Sequence, residues 1–299
     1  MRHQRFLKYV DEVARSGSVR KAADRLNVTP SALDRRVRDI EDEVGTQLFE
    51  RHARGMRLTA AGEAFIRYVR EQESSLARMH SEIEDLSGFR RGTVRIATSQ
   101  TVAQEVLPRA MSRYRAEFPR VEFHVHVCDR EQAMSMLVDY SVDLAMVFHP
   151  EQWSEYETLA VASQQVFAFM AAGHPLAEYE MLRMRDIVDY PLALPGPTLW
   201  SRALLDAFFA RSSLEPRVAL ETNSFDLLKS YITSENAVAF QIQVGKARLL
   251  EGQGIVARPI EELGLKTVNL VLAQLRGRTL PVAAAKFAQD LARILDEMD

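Results

Sequence analysis

The chain holds a single cysteine, Cys128, in 299 residues, and that scarcity excludes several classes of protein. No intramolecular disulfide can form, and a two-cysteine redox switch is ruled out. Glycine-rich phosphate cradles are missing as well: neither G-x-G-x-x-G nor the Walker pattern occurs. The metalloprotease pattern H-E-x-x-H and the nucleophile elbow G-x-S-x-G are also absent, so no catalytic residue is assigned and no enzyme is expected. No apolar run is long enough for a membrane span, and Met1 to Val10 is charged throughout, unlike a secretion signal. These features predict a soluble, cytoplasmic protein without a membrane partner. His124 and His126 share a strand face, but no third ligand stands near them in sequence, so neither a metal nor a cofactor is expected.

What is present begins at Ser18–Val37, SVRKAADRLNVTPSALDRRV. Ser18 fits a helix N-cap, and Ala22, Ala23 and Leu26 give one small apolar face. Asn27 interrupts that pattern, and Thr29 with Pro30 starts a second helix, where the missing proline N–H costs nothing. Leu33, Val37 and Ile40 form the inward stripe of the second helix, which leaves Ser31, Asp34, Arg35 and Arg38 facing outward. Gly45 supplies the stop. This is a helix-turn-helix, whose second helix can enter a DNA major groove; the same pair of helices also occurs in proteins that touch no DNA.

The following residues favour DNA. Leu48 and Phe49 read as anchors, Arg54-Gly55 as a turn, and Met56-Arg57-Leu58 as a short strand, together a β-wing carrying Arg51, Arg54 and Arg57. Arginines on a wing suit phosphate or the minor groove, although an ordinary solvated hairpin has the same pattern. Residues 1–60 contain 13 Lys+Arg against 9 Asp+Glu, a net of +4, whereas the whole chain is −3 and the remainder therefore −7. A basic head on an acidic body fits a DNA-binding domain joined to one that avoids DNA.

These motifs together resemble the LysR-type transcriptional regulators. The resemblance rests on Ala22-Ala23, Leu26-Asn27-Val28, Thr29, Ile40-Glu41 with Val44-Gly45, Leu48-Phe49-Glu50-Arg51, Arg54-Gly55, and Leu58-Thr59 with Gly62. It extends over the whole chain in the order and length of its parts. One departure concerns Asp34, where many members carry serine or threonine facing DNA. A carboxylate there either accepts from a cytosine amino group or pairs with Arg35 or Arg38 and orients them.

Residues 60–88 predict one helix, capped by Thr59 and ended by Gly88. Phe65, Val69, Gln72, Leu76, Met79, Ile83 and Leu86 follow at alternating spacings of four and three, a heptad seam that calls for a partner helix. Packing against the chain's own domain is the other reading. A dimer matters mechanically, because two recognition helices on a two-fold axis read a palindrome.

Beyond Gly92, strands alternate with helices. Val94–Ala97 reads as a strand, Thr98–Gln100 opens a helix running to Phe118, and Val121–Val127 alternates strictly. Ala133–Tyr140 reads as a helix and Leu144–Phe148 as an apolar strand. Such units imply a parallel sheet with helices on both faces. The theme repeats, giving a two-lobed α/β body of the type 2 periplasmic-binding-protein kind after an all-α winged helix-turn-helix. The expected organisation is residues 1–59 for DNA binding, with the helix-turn-helix at 18–37. Residues 60–88 form the dimerising linker helix and 89–299 bind an effector, with lobe I at about 93–162 and 268–299 and lobe II at about 163–267.

Ligands of such folds lie in the cleft beyond the strand ends. Ser99, Gln100 and Thr101 sit where the first strand becomes a helix and favour an anion, most simply a carboxylate; Ser99 acting only as a cap is compatible with this. The family resemblance adds Cys128, Phe148, Thr198, Asn223 and Gln241 as effector-binding positions. Trp200 fits either a flat apolar ligand or the core. The resemblance further implies DNA reading by Ser31, Asp34, Arg35 and Arg38, backbone contacts by Arg51 and Arg54, and a homodimer or homotetramer. Effector-driven changes in the spacing of the heads would alter DNA bending and the access of RNA polymerase. Two alternatives stand: a constitutive DNA-binding regulator whose body only assembles the oligomer, and a small-molecule binder or enzyme using the helix-turn-helix for protein contacts.

Overall fold

The computed structural model describes residues 2–52, 55–86, 91–148, 154–197, 199–244, 254–262 and 268–298, without the side chains of 2–6 and 84–86. Two compact units divide the chain, Met1–His80 and Ser81–Asp299.

In the first unit α1 (Arg2–Ser16), α2 (Val19–Leu26) and α3 (Pro30–Val44) precede a two-stranded wing and the start of α4 (Ala60–Leu86). The caps are those the residue types predict. Ser18 accepts from the Lys21 N–H and Thr29 from the Ala32 N–H, Asn27 takes the left-handed conformation at φ 53°, and Gly45 closes α3 at φ 76°. Leu33 and Val37 are fully buried, and Ile40 nearly so, against Val10, Val13, Ala22 and Ala23. Wing strands β1 (Phe49–His52) and β2 (Gly55–Leu58) pair antiparallel, with Phe49 opposite Leu58. Glu41 fixes the wing to α3, because its Oε1 accepts from the backbone N–H groups of Leu48 and Phe49 at 2.8 and 3.0 Å. Thr59 caps α4 by accepting from the Gly62 N–H at 2.9 Å. Position 62 has no room for a side chain, since a Cβ there would stand 2.0 Å from the Leu48 carbonyl oxygen.

The second unit runs β3 (Arg91–Thr98), α5 (Gln100–Glu105), α6 (Leu107–Glu117), β4 (Arg120–Val127), α7 (Arg130–Val138), β5 (Leu144–Phe148) and β6 (Tyr156–Ala171). It continues with α8 (Met184–Ile187), β7 (Leu192–Pro195), α9 (Trp200–Phe209), β8 (Val218–Thr222), α10 (Phe225–Ser234), β9 (Val238–Gln243), β10 (Ile255–Pro259), β11 (Val268–Leu275) and α11 (Val282–Asp296). These strands form one nine-stranded sheet in the order β4-β3-β5-β11-β6-β9-β7-β8, with β10 also on β6. β6 belongs to both lobes: up to Gln164 it pairs with β11, and from Gln165 it pairs with β9.

Two expectations need correction. The sheet is mixed and not parallel, because β11 runs antiparallel to β5 and β6, and β6 antiparallel to β9 and β10. Only the βα units proper, β3 with β4 and β5 and β7 with β8 and β9, are parallel. The helix after Gln100 is two helices that meet at Val106. Pro108 causes the break, since it has no N–H to give the Gln104 carbonyl and its ring crowds that group. The change of partner within β6 falls at Gln164–Gln165.

Lobe I is packed on both faces. Tyr114, Phe123 and Phe287 interlock edge to face, with Phe287 4.8 Å from Phe123 and 5.3 Å from Tyr114. Fully burying one such ring stabilises by about 1.5–3 kcal/mol. On the opposite face Ala133, Met134 and Leu137 of α7 cover Ala97, Ala145 and Val147. In lobe II, Phe225, Leu228 and Ile232 of α10 cover Phe169, Ala193 and Ala239. Among the described residues no helix is long and apolar enough to cross a membrane.

Candidate functional site

The outer face of α3 carries Ser31, Arg35 and Arg38, all exposed, with Asp34 half-buried between them. Asp34 is fully engaged: its Oδ2 accepts from Arg38 one turn on at 2.8 Å, and its Oδ1 from Arg51 of the wing at 2.6 Å. Of the two partners anticipated from sequence, Arg38 is found and Arg35 is not. Arg35 is exposed and, among the described residues, meets no carboxylate. Ser31 Oγ lies 3.3 Å from Thr29 Oγ1, beside the cap. Arg54 falls outside the described residues.

Within the second unit a cavity of about 380 Å³ opens between the two lobes. Ser99, Gln100, Thr101, Cys128, Phe148 and Asn223 all line it. Thr198 falls outside the described residues. Gln241 requires a correction, because it stands behind the wall, buried, and its Nε2 donates to Thr101 Oγ1 at 3.2 Å. It positions a lining residue and is not one itself. Trp200 does line the cavity, together with Leu199 and Phe225.

Two features escaped sequence reasoning. Arg130, at the first turn of α7, lines the cavity and keeps an ion pair with Glu131 at 2.9 Å. A lone arginine in a helix start has no sequence signature. Ser99 is the N-cap residue of α5, but its side chain makes no cap bond: its Oγ is buried and has no hydrogen-bond partner among the described residues.

α5 also ties the lobes together. Gln100 Oε1 accepts from the Phe225 N–H at 3.3 Å, and Gln104 meets Asp226 and Lys229, each at 3.3 Å. Burial pushes the neighbouring Glu105 carboxyl up to about 7, against the lowering effects of Lys229, the Val244 N–H and Arg109. Burial pushes the Cys128 thiol up to about 11, with the Asp129 charge adding to it. A thiol raised that far is protonated at neutral pH and a poor nucleophile. Among the described residues no three His, Cys, Asp or Glu side chains are placed to hold a metal ion.

A capped helix-turn-helix with an arginine-bearing wing, followed by a two-lobed α/β unit around a cavity, defines a class: DNA-binding transcriptional regulators with an effector-binding domain. Residues 4–63 match the bacterial regulatory helix-turn-helix proteins of the lysR family, and residues 87–295 match the LysR substrate binding domain. The chain belongs to the LysR family. It is 28% identical over 273 residues to the RuBisCO operon transcriptional regulator of Allochromatium vinosum, covering 91% of this chain and 85% of the relative. CbbR of Sinorhizobium medicae is 31% identical over 237 residues, 79% of this chain and 75% of the relative. A full-length OxyR variant from Pseudomonas aeruginosa superposes with a TM-score of 0.71 at 18% identity, covering 96% of this chain and 94% of that one. Full-length CbnR complexed with its target DNA gives 0.63 at 19% identity, covering 97% and 99%. Both relatives are transcriptional regulators by name.

Proposed function

We propose that this regulator, a homodimer or homotetramer in the cytoplasm, reads its operator with α3 and answers a small carboxylate held between its lobes. Arg35 and Ser31 face base edges, while Arg38, Arg51 and Arg54 hold phosphates. The observation that carries the effector reading is that Arg130 and Ser99, whose buried hydroxyl has no hydrogen-bond partner among the described residues, line one cavity with Phe148 and Trp200. A cation and a waiting donor against apolar walls suit an organic anion. An anion that binds one closure of the cleft better than another shifts the population of oligomer shapes, and with it DNA bending and the access of RNA polymerase.

A carboxylate metabolite that fits is expected to raise the melting temperature of the full chain by mass action. Ser99→Ala should weaken binding by about 1–3 kcal/mol, and Arg130→Gln by at least as much, because a charged group loses its partner. Calorimetry on each variant measures this. Unchanged binding would move the site elsewhere; no binding by any member of a panel of acids, amines and neutral aromatics would favour the constitutive regulator.

Base reading has its own test. Arg35→Ala is expected to weaken operator binding by about 1–3 kcal/mol and to relax discrimination at one base pair, leaving random DNA little affected. Mobility shifts at fixed salt decide it. Equal losses on operator and random duplex would make Arg35 a phosphate contact instead.

A further inference from the structure

Asp34 lies on the face of α3 that carries Ser31, Arg35 and Arg38, and the structure gives it two arginines from two different elements. A single exposed pair one helical turn apart adds little stability. Two guanidiniums converging on one carboxylate do something different. They tie the wing strand to the recognition helix, and they lower the local charge from +2 to +1. A carboxylate gripped this way also occupies the position that a DNA phosphate would take, since both anions offer oxygens to the same guanidinium fork.

We propose that Asp34 is a specificity-determining positioning residue, an internal counter-ion that holds Arg38 and Arg51 and suppresses binding to DNA of unrelated sequence. For Arg51 to grip a phosphate it must release Asp34 or share it, and the released carboxylate is left facing a polyanion. That penalty weighs most on random DNA, where phosphate contacts supply nearly all the affinity. On the operator, base contacts through Arg35, which has no such counter-ion among the described residues, offset it. This rests on the reading that α3 and the wing face DNA.

The test uses the full chain with Asp34→Asn, which keeps the shape and removes the charge, Asp34→Ser as a second variant, Arg51→Gln, and the double variant of Asp34→Asn with Arg51→Gln. The probes are a random-sequence duplex and a duplex that the parent protein selects from a randomised pool, followed by anisotropy between about 50 and 200 mM salt. Both Asp34 variants are expected to tighten random DNA about tenfold at the lower salt and to steepen its log–log salt slope by about 0.9, one extra phosphate contact. The selected duplex gains less, so the specificity ratio falls. Arg51→Gln alone weakens both duplexes, and in its background the gain from Asp34→Asn shrinks. An unchanged slope for both Asp34 variants, while Arg51→Gln still weakens binding, overturns the counter-ion and leaves the docking face standing. A loss on the selected duplex confined to one base pair, with random DNA unaffected, overturns it in favour of direct base reading. No effect of Arg51→Gln on either duplex overturns the docking face and the proposal with it.

Discussion

Asp143→Ala is expected to destabilise the second unit by about 3–5 kcal/mol, because it strands a buried arginine. Asp143 is fully buried and the Arg278 side chain is 5% exposed, with 2.5 Å between Oδ1 and Nη2. The other carboxylate oxygen accepts from the Arg95 N–H at 2.9 Å, and Arg278 Nη1 donates to the Val142 carbonyl at 2.7 Å. Arg278 also lies 5.0 Å from the Tyr140 ring, and Tyr140 is itself held at φ 59°. The pair therefore links β3, the turn before β5 and the turn after β11. Burial lowers the Arg278 pKa and the Asp143 carboxylate opposes this. Removing the carboxylate leaves the desolvation penalty of the cation and an unanswered backbone donor. At roughly 2–4 °C per kcal/mol for a unit of this size, scanning calorimetry should show its transition about 10 °C lower. Combining Asp143→Ala with Arg278→Met removes both charges and should recover part of the loss. A shift of less than about 2 °C for the single variant would mean that the site opens to water and solvates the cation.

Nothing near Asp143 in the sequence announces that pair, since its partner is 135 residues away, and the same is true of most of what the sequence left unread. Local signals were legible: the caps at Ser18 and Thr29, Pro30 at the start of α3, Gly45 at its end, and the apolar strand Leu144–Phe148. Each depends on a few neighbouring residues and on backbone rules that act over one turn. Of the six cavity residues, Ser99, Gln100 and Thr101 were legible from the switch of strand to helix, and Cys128, Phe148 and Asn223 only through the family pattern. Arg130, the Asp34–Arg51 contact and the retreat of Gln241 behind Thr101 arise from how distant segments meet. Strand direction was hidden for a related reason, because alternation of side chains does not distinguish a parallel neighbour from an antiparallel one. The break at Val106 is different. Pro108 was visible in the sequence, but a proline at the second position of a new helix looks, by pattern, much like one inside a continuing helix.

The heptad stripe on α4 is where sequence pattern and structure divide the same residues differently, and it supports the second large effect. Val69 is fully buried in the first unit and Phe65 partly so, together with Ile66, which the stripe does not include. The N-terminal end of the stripe thus packs on the chain's own core. From Gln72 onward the position changes: Gln72 is exposed, Leu76 is half-buried, and Met79 and Ile83 are 40% and 52% exposed. A regular row of apolar side chains along one helix suits a helical partner, and in the proposed dimer a second α4 would supply the same spacing. Replacing both Leu76 and Ile83 by aspartate would put charges at two points of that seam, at a cost of about 3 kcal/mol each when buried. The dimer dissociation constant should then rise by about 10⁴-fold. Because Ile83 is exposed and Leu76 only half-buried in the single chain, the melting temperature of the dissociated protein should change little. Light scattering at micromolar protein reports the mass. Operator binding should fall along with it, since linking two heads multiplies affinity by about 10²–10⁴ without any new contact. A folded variant that keeps the parent mass would show that the oligomer is built through other surfaces, and that the exposed half of the stripe has another partner.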